Sequence, residues 1–509
     1  MIQTIPKQFF CIVLLLIQTC FFKEIIADTS AKDYDYSHRK RDCEITLVNS
    51  DGQPVSEVLI GIAQIRNDFV FGGTISSEAF DTLGDSYGEK FPDYFDVGTP
   101  ENEMKWDYVM KCSEKCDPDF SKADFLVDWL FKNNIAVRGH NLFCNEREDL
   151  IPEWTRNLEN AAFKQAMLER ISSAMEHYKG KVLQWDLISD ICHAMDGSFS
   201  TSGMLENKSG DQDIFNWILD EARKIDTVTD FVISNQNLIN SNDMTIVNQY
   251  INKVKPISSK FEIIGTEVHF GESMDKDSYE SKINYLAEQL EKPVLLTDAD
   301  FSLDINQAPD KVEELMRTCF ANPNVGGLIM GNWYKHSMTR SNLTSYFVDS
   351  MNSETPAGQR WREVRAEWKT EASGYTDESG KFSFNGFQGK YLIIVSCFLD
   401  SFYLEPGEGP ATIEVGYFPN FIVEYKSASI KTTEIMINGT AIPVKLPLRY
   451  NGQLFLTTYS LSGKQLSRSP VSIKNRKYQI TPSSSYCCIV RIETADRLPL
   501  YTGKIMATN

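Results

Sequence analysis

Histidine is scarce in this chain, with six in 509 residues. No Cys/His spacing resembles a zinc site, so neither a metal nor another cofactor is expected. Positive charge is also in deficit. Lys and Arg number 51 against 70 Asp and Glu, a net charge of −19, which argues against a nucleic-acid or anionic-membrane partner because phosphate would be repelled over most of the surface. Neutral polymers such as polysaccharides stay open as partners. Beyond the first residues no apolar run reaches about 18 residues, so no later membrane span is expected. No Gly-rich phosphate loop follows the first candidate strand, which counts against a doubly wound nucleotide fold. No repeat of about 20–50 residues marks a solenoid or propeller.

What is present is a globular composition, 42% hydrophobic and 12% aromatic, in a chain too long for a single core. Two or three domains are expected. The run FFCIVLLLIQTCFF, Phe9 to Phe22, lies between Lys7 and Lys23-Glu24 and has the length of a signal-peptide core. Cleavage near Ala27 would make residues 1–27 a leader and the protein secreted and extracellular, with no membrane attachment once cleaved; the alternative is an uncleaved anchor. Sequons at Asn207 (NKS), Asn342 (NLT) and Asn438 (NGT) suit that route. Of the eleven cysteines, Cys11 and Cys20 would leave with the leader. The odd remainder should mostly pair in an oxidising compartment, with CSEKC (Cys112, Cys116) as a local bridge. Cys144 and Cys192 are a further candidate pair across the cleft rim, the alternative being that each pairs elsewhere.

Residues 28–68 read as a polar lead, DTSAKDYDYSHRKRD, followed by a strand, a DGQP turn and a second strand. Short apolar runs then alternate with amphipathic ones. The candidate strands are FVFGG (69), YFDVG (94), IAVRGHNLF (135), KVLQWDLIS (181), DFVISN (230), FEIIGTEVHF (261), PVLLTDAD (293) and GGLIMGNW (326). Helical periods intervene from Ala123, Leu158, Asp213, Gln307 and Gly358. This is an α/β pattern, and eight such units over residues 69–370 predict a (β/α)₈, or TIM, barrel. Residues 371–509 turn to Gly-, Ser- and Thr-rich alternation and predict one or two all-β, sandwich-like modules.

In such a barrel the chemistry gathers where the strands end. Those ends supply Glu101, Asn102, Lys105, His140, Asp190, Asn235, Asn237, Glu267, His269, Asp298, Asp300 and Trp333. Any single strand-end acid can be a helix cap or loop anchor. Acids, amides, a lysine, histidines and an aromatic on one rim together suit a sugar site, with Trp333 as a stacking face.

The motifs GTPENEMKW (98–106), VRGHNL (137–142), QWDLISD (184–190), IGTEVHF (264–270), LLTDAD (295–300) and GLIMGNW (327–333) resemble glycoside hydrolase family 10, the retaining β-1,4-xylanases. The flanks resemble the larger plant and animal-type members with a β module. The resemblance implies Asp190 at the general acid/base position and Asp298 at the nucleophile position, each an Asp where the family has Glu. It implies Ser189 in place of the family's Asn before the acid, and Glu267 in place of a Gln. Glu101, Asn102, Lys105, His140, Asn237 and His269 keep the pattern of the sugar-binding floor.

Shortening each carboxylate by about 1.5 Å would widen the gap beyond the roughly 5–5.5 Å that retention needs. The expectation is therefore a glycosidase scaffold with weak or lost turnover, binding a xylan-like chain or serving as an extracellular structural or storage protein. The alternatives are retained hydrolysis, or an altered hydrolase in which Glu267 is recruited beside Asp298.

Overall fold

The alternation along residues 70–367 folds into a closed barrel of eight parallel strands. They are Val70–Ile75, Val97–Pro100, Ala136–Cys144, Gln184–Ser189, Asp230–Gln236, Ile263–Phe270, Val294–Phe301 and Val325–Met330, referred to below as the first to eighth strands. Each pairs with its neighbour in chain order, and Gly327 opposite Val70 closes the ring. This computed structural model describes residues 34–417 except 50, 147, 193, 196–197, 200–202, 241–243, 272–274, 336–342 and 396–397, and farther on the backbone of seven strands between 430 and 505. The leader, its cleavage site, the sequons at Asn342 and Asn438, and Cys397 and Cys487 lie outside the described residues.

The barrel follows from burial on both faces of its strands. In Gln184–Ser189 all six positions are buried, as expected for a parallel strand covered by helices. The surrounding helices bury one stripe each: Ile214–Ile225 turns Ile214, Phe215, Ile218, Leu219 and Ala222 inward, the period of an amphipathic helix. Val70, Val97, Val232, Ile263, Leu295 and Ile329 fill the barrel interior as a separate apolar plug. The glycine of VRGHNL is set by close packing, since a Cβ at Gly139 would stand 2.4 Å from the Trp185 ring.

The flanks depart from the expected division. Lys40–Val48 and Leu59–Asn67 do not pair with each other. The first joins Lys381–Phe387 and Ala411–Gly416; the second joins Glu371–Tyr375 and Gly389–Val395, which in turn pairs with Phe398–Leu404. These two sheets share a core of Ile45, Leu47, Ile60, Ile62, Tyr391, Ile393 and Val395. One sandwich is thus built from both sides of the barrel sequence, because an isolated strand pair cannot cover its own apolar face. At the DGQP turn the Asn49 side chain accepts the Asp51 and Gln53 N–H groups, and the chain passes from one sheet to the other. Strands within 430–505 form a further three-stranded and a four-stranded sheet.

Part of the polar lead is tied to the barrel. Arg39 is buried and donates to the Phe320, Asn322 and Val325 carbonyls at 3.0, 2.7 and 2.6 Å. Its guanidinium lies over the Phe69 and Phe320 rings. Burial lowers its pKa to about 10, so the charge persists at neutral pH and ties the sandwich to the start of the eighth strand. Cys112 and Cys116 form the local disulfide, while Cys43, Cys144, Cys192 and Cys319 are buried free thiols. The Cys144–Cys192 bridge is therefore not made; Cys192 packs in the barrel's apolar core as a small apolar group, while Cys144 faces a carboxylate. Among the described residues no helix is long and apolar enough to cross a membrane.

Candidate active site

The second strand delivers the first group of rim residues. Lys105 Nζ donates to Asn102 Oδ1 at 2.9 Å. The loop is held from beneath by buried Glu103, which accepts the Asn102 and Ser77 N–H groups. Burial pushes the Glu101 carboxyl up to about 7 despite Lys105, with the Asp298 and Glu103 charges adding to the effect.

Beside it, His140 Nδ1 meets Asp186 Oδ2 at 2.8 Å, and the same oxygen forms an ion pair with the Arg138 guanidinium at 2.7 Å. Burial acts to raise the Asp186 pKa, but the Arg138 charge and the hydrogen bonds outweigh it and hold it below its ordinary value. Burial lowers the His140 pKa to about 4 against the pull of Asp186. The ring is thus neutral at pH 7, and a proton on Nδ1 shared with the carboxylate leaves Nε2 an acceptor.

The end of the fourth strand is closed in. Asp190 has φ of +52° and is only 7% exposed. Its Oδ1 accepts the Gln236 backbone N–H at 3.1 Å, and its Oδ2 lies 3.6 Å from the Cys144 sulfur, which donates its proton. Burial pushes this carboxyl up to about 6 against the Gln236 hydrogen bond, and the Glu146 charge adds to the rise. Ser189 Oγ accepts from Asn141 Nδ2 at 2.9 Å, and Asn235 Oδ1 takes the Cys192 N–H at 2.7 Å. Both carboxylate oxygens of Asp190 are therefore engaged by the third and fifth strands.

Across the mouth, strand register sets Glu267 beside Asp298 and His269 beside Asp300. Burial, then the Asp190 and Asp298 charges, raises the Glu267 carboxyl well above its ordinary value. Asp298 needs the glycine that follows the eighth strand, because a Cβ at Gly331 would stand 1.6 Å from its Oδ1. His269 Nδ1 meets Asp300 Oδ1 at 2.8 Å, and Asn332 Nδ2 reaches Asp300 Oδ2 at 3.2 Å. Asn237, at φ of +63°, donates its N–H to the Glu267 carbonyl, and its Oδ1 accepts from Asn240.

Trp333 is corrected by the structure. It is 0% exposed, lies against Tyr87 with ring centroids 5.3 Å apart, and donates Nε1–H to the Thr74 carbonyl at 2.8 Å. The chain turns at Asn332 (φ +51°) and drives the ring into the aromatic packing of Phe91, Tyr94 and Phe95. It offers no face to a sugar.

Sequence reasoning passed over Glu103, Arg138, Glu146, Asp186 and Gln236. The available signal was charge inside buried strands, where Asp and Arg are found only when paired; Arg138 and Asp186 meet that description. Cys144, Glu146 and Asp190 bring one donor atom each within 4.8 Å of one another.

The family model for glycosyl hydrolase family 10 matches residues 62–362. The chain is 30% identical over 359 residues to the anti-sigma-I factor RsgI6 of Acetivibrio thermocellus, covering 70% of this chain and 45% of that protein. It is 25% identical over 366 residues to endo-1,4-beta-xylanase 1 of Arabidopsis thaliana, covering 70% of this chain and 36% of the relative. The chain thus spans less than half the length of either. The crystal structure of xylanase 10B from Thermotoga petrophila in complex with xylobiose is similar in fold, with a TM-score of 0.52 at 17% identity over 59% of this chain and 94% of that one.

Proposed function

The chain belongs to glycosyl hydrolase family 10, and on that premise we propose that it is a secreted member that holds a β-1,4-linked, xylan-type chain in the barrel mouth with little or no hydrolysis. The observation that carries this reading is the engagement of Asp190. Retaining hydrolysis needs a proton donor facing the glycosidic oxygen and a nucleophile about 5–5.5 Å away. The carboxylate at the donor position is buried, and protein groups take both of its oxygens. A misplacement near 1 Å already costs on the order of 10²-fold in rate. The hydroxyl-binding groups fare differently: Glu101, Asn102, Lys105, His140, Asn237 and His269 are only partly buried at the mouth. Their amides, charges and neutral imidazole suit a polyhydroxylated ligand. The apolar leader and the sequons support the secreted part of the reading.

A second reading has one specific observation behind it. Glu267 stands beside Asp298 in register, and burial with the Asp190 and Asp298 charges raises its proton affinity, the direction a substitute acid requires. Calorimetric titration with xylo-oligosaccharides, run beside an assay for reducing ends released from xylan, separates the two. Saturable binding without release is expected. Release that disappears in Asp298→Ala and Glu267→Gln would establish the hydrolase instead. Absence of both binding and release would overturn the glycan reading and leave a structural or storage role.

A further inference from the structure

Cys144, Glu146 and Asp190 have no task in holding a glycan, yet one sulfur and two carboxylates converge within 4.8 Å. Cys144 ends the third strand and Glu146 follows two residues on, where the chain bends. Asp190 follows Ser189 of the fourth strand, the residue in register with Cys144. We propose that this triad binds Zn²⁺ or a similar borderline divalent cation through the Cys144 thiolate and the two carboxylates, with a further position left for water.

The spacing of the sulfur and one carboxylate meets the requirement of such a centre. A tetrahedral zinc with bonds of about 2.3 Å to sulfur and about 2.1 Å to oxygen sets those two ligand atoms about 3.6 Å apart. Cys144 Sγ and Asp190 Oδ2 are 3.6 Å apart. In the metal-free protein the thiol proton bridges them. On binding, the S–H bond breaks, the proton leaves to solvent, and the sulfur electron pair forms the Zn–S bond.

The groups around the triad brace it as outer partners brace metal ligands. The Gln236 N–H takes Asp190 Oδ1 and leaves Oδ2 toward the sulfur, while Gln236 Nε2 reaches Glu146 Oε1 at 3.4 Å. Asn145, between the two donors of the third strand, is fully buried. It donates its N–H to the Ser189 carbonyl and its amide to the Ile191 carbonyl and Glu206, and its Oδ1 accepts the Leu205 N–H. A thiolate ligand favours zinc over magnesium or calcium.

The test uses the full chain, stripped with chelator under reducing conditions and titrated with Zn²⁺ against a competing chromophoric chelator, then with Co²⁺. One equivalent of zinc and a sulfur-to-cobalt charge-transfer band are expected. Cys144→Ser should abolish the band and weaken zinc at least about tenfold. Glu146→Gln, at a half-buried position, should weaken zinc by roughly tenfold and keep the band. No uptake, uptake unchanged in both variants, or a cobalt complex without the sulfur band would overturn the site. Xylo-oligosaccharide titration of the stripped chain reports separately on the glycan reading.

Discussion

The two sides of the barrel mouth treat their carboxyl groups in opposite ways. On the side of the third to fifth strands, Asp190 is turned inward and both its oxygens are matched by protein donors. On the side of the second strand, Glu101 stays at the mouth, where burial and the neighbouring Asp298 and Glu103 raise its proton affinity. The first arrangement spends a polar group on internal cohesion. The second keeps one available for a ligand. On the reading proposed above, location and competence are separate: Asp190 stands at the strand end yet is turned to protein groups.

The largest effect expected on breaking this comparison is at Asp186, the fourth-strand carboxylate that supports His140. Asp186→Ala leaves the Arg138 charge buried without its partner, and should cost about 3–5 kcal/mol, read from the denaturant midpoint. Trp333→Ala should cost a similar amount, ~3–5 kcal/mol, and the loss should show in stability, since no face of the ring reaches the mouth. A variant that folds normally yet loses xylo-oligosaccharide binding would return Trp333 to the ligand.

Lys105→Ala removes a charge from the open side and should weaken oligosaccharide binding by about tenfold, ~1.4 kcal/mol, in calorimetry. Asp190→Asn should leave that binding within about twofold, because its carboxylate faces protein; an equal loss in both variants would erase the distinction between the two sides.

The pH dependence is subtler. The folded Glu101 carboxyl titrates at about 7 against an ordinary 4.5, so between those values the folded state holds more protons than the unfolded one. The resulting stability is fully present below 4.5 and is lost as pH rises through about 7. Glu101→Gln should flatten that part of a stability-versus-pH curve. The smallest effect is expected from Gln236→Ala, below about 1 kcal/mol. It removes two 3.4 Å side-chain contacts, one to Glu146 and one from Asn237, and keeps the backbone N–H that holds Asp190.

Much of the barrel was legible because its cause is local. The eight apolar runs were each found within a few residues of the observed strands, and YFDVG shows where the reading slipped: Tyr94 closes the helix Asp85–Tyr94, and the strand begins at Val97. The rim positions followed from the strand ends. The sandwich was less legible, because Lys40–Val48 finds its partners about 335 to 368 residues later, and nothing in a short window specifies such pairing. The Cys144, Glu146 and Asp190 cluster was invisible to spacing rules, since its third donor comes from a neighbouring strand.

By itself the sequence determined the alternation of buried strand and amphipathic helix, the family motifs, and the acids at strand ends such as Asp190 and Asp298, all properties of residue order and period. The tertiary structure alone decided that the Asp190 carboxylate is turned to Cys144 and Gln236, that Trp333 lies in the core, and that both flanks make one sandwich. The physical reason is that a side chain beyond the last paired residue of a strand takes its direction from its own φ and from donors on other strands. Those contacts exist only once the barrel has closed.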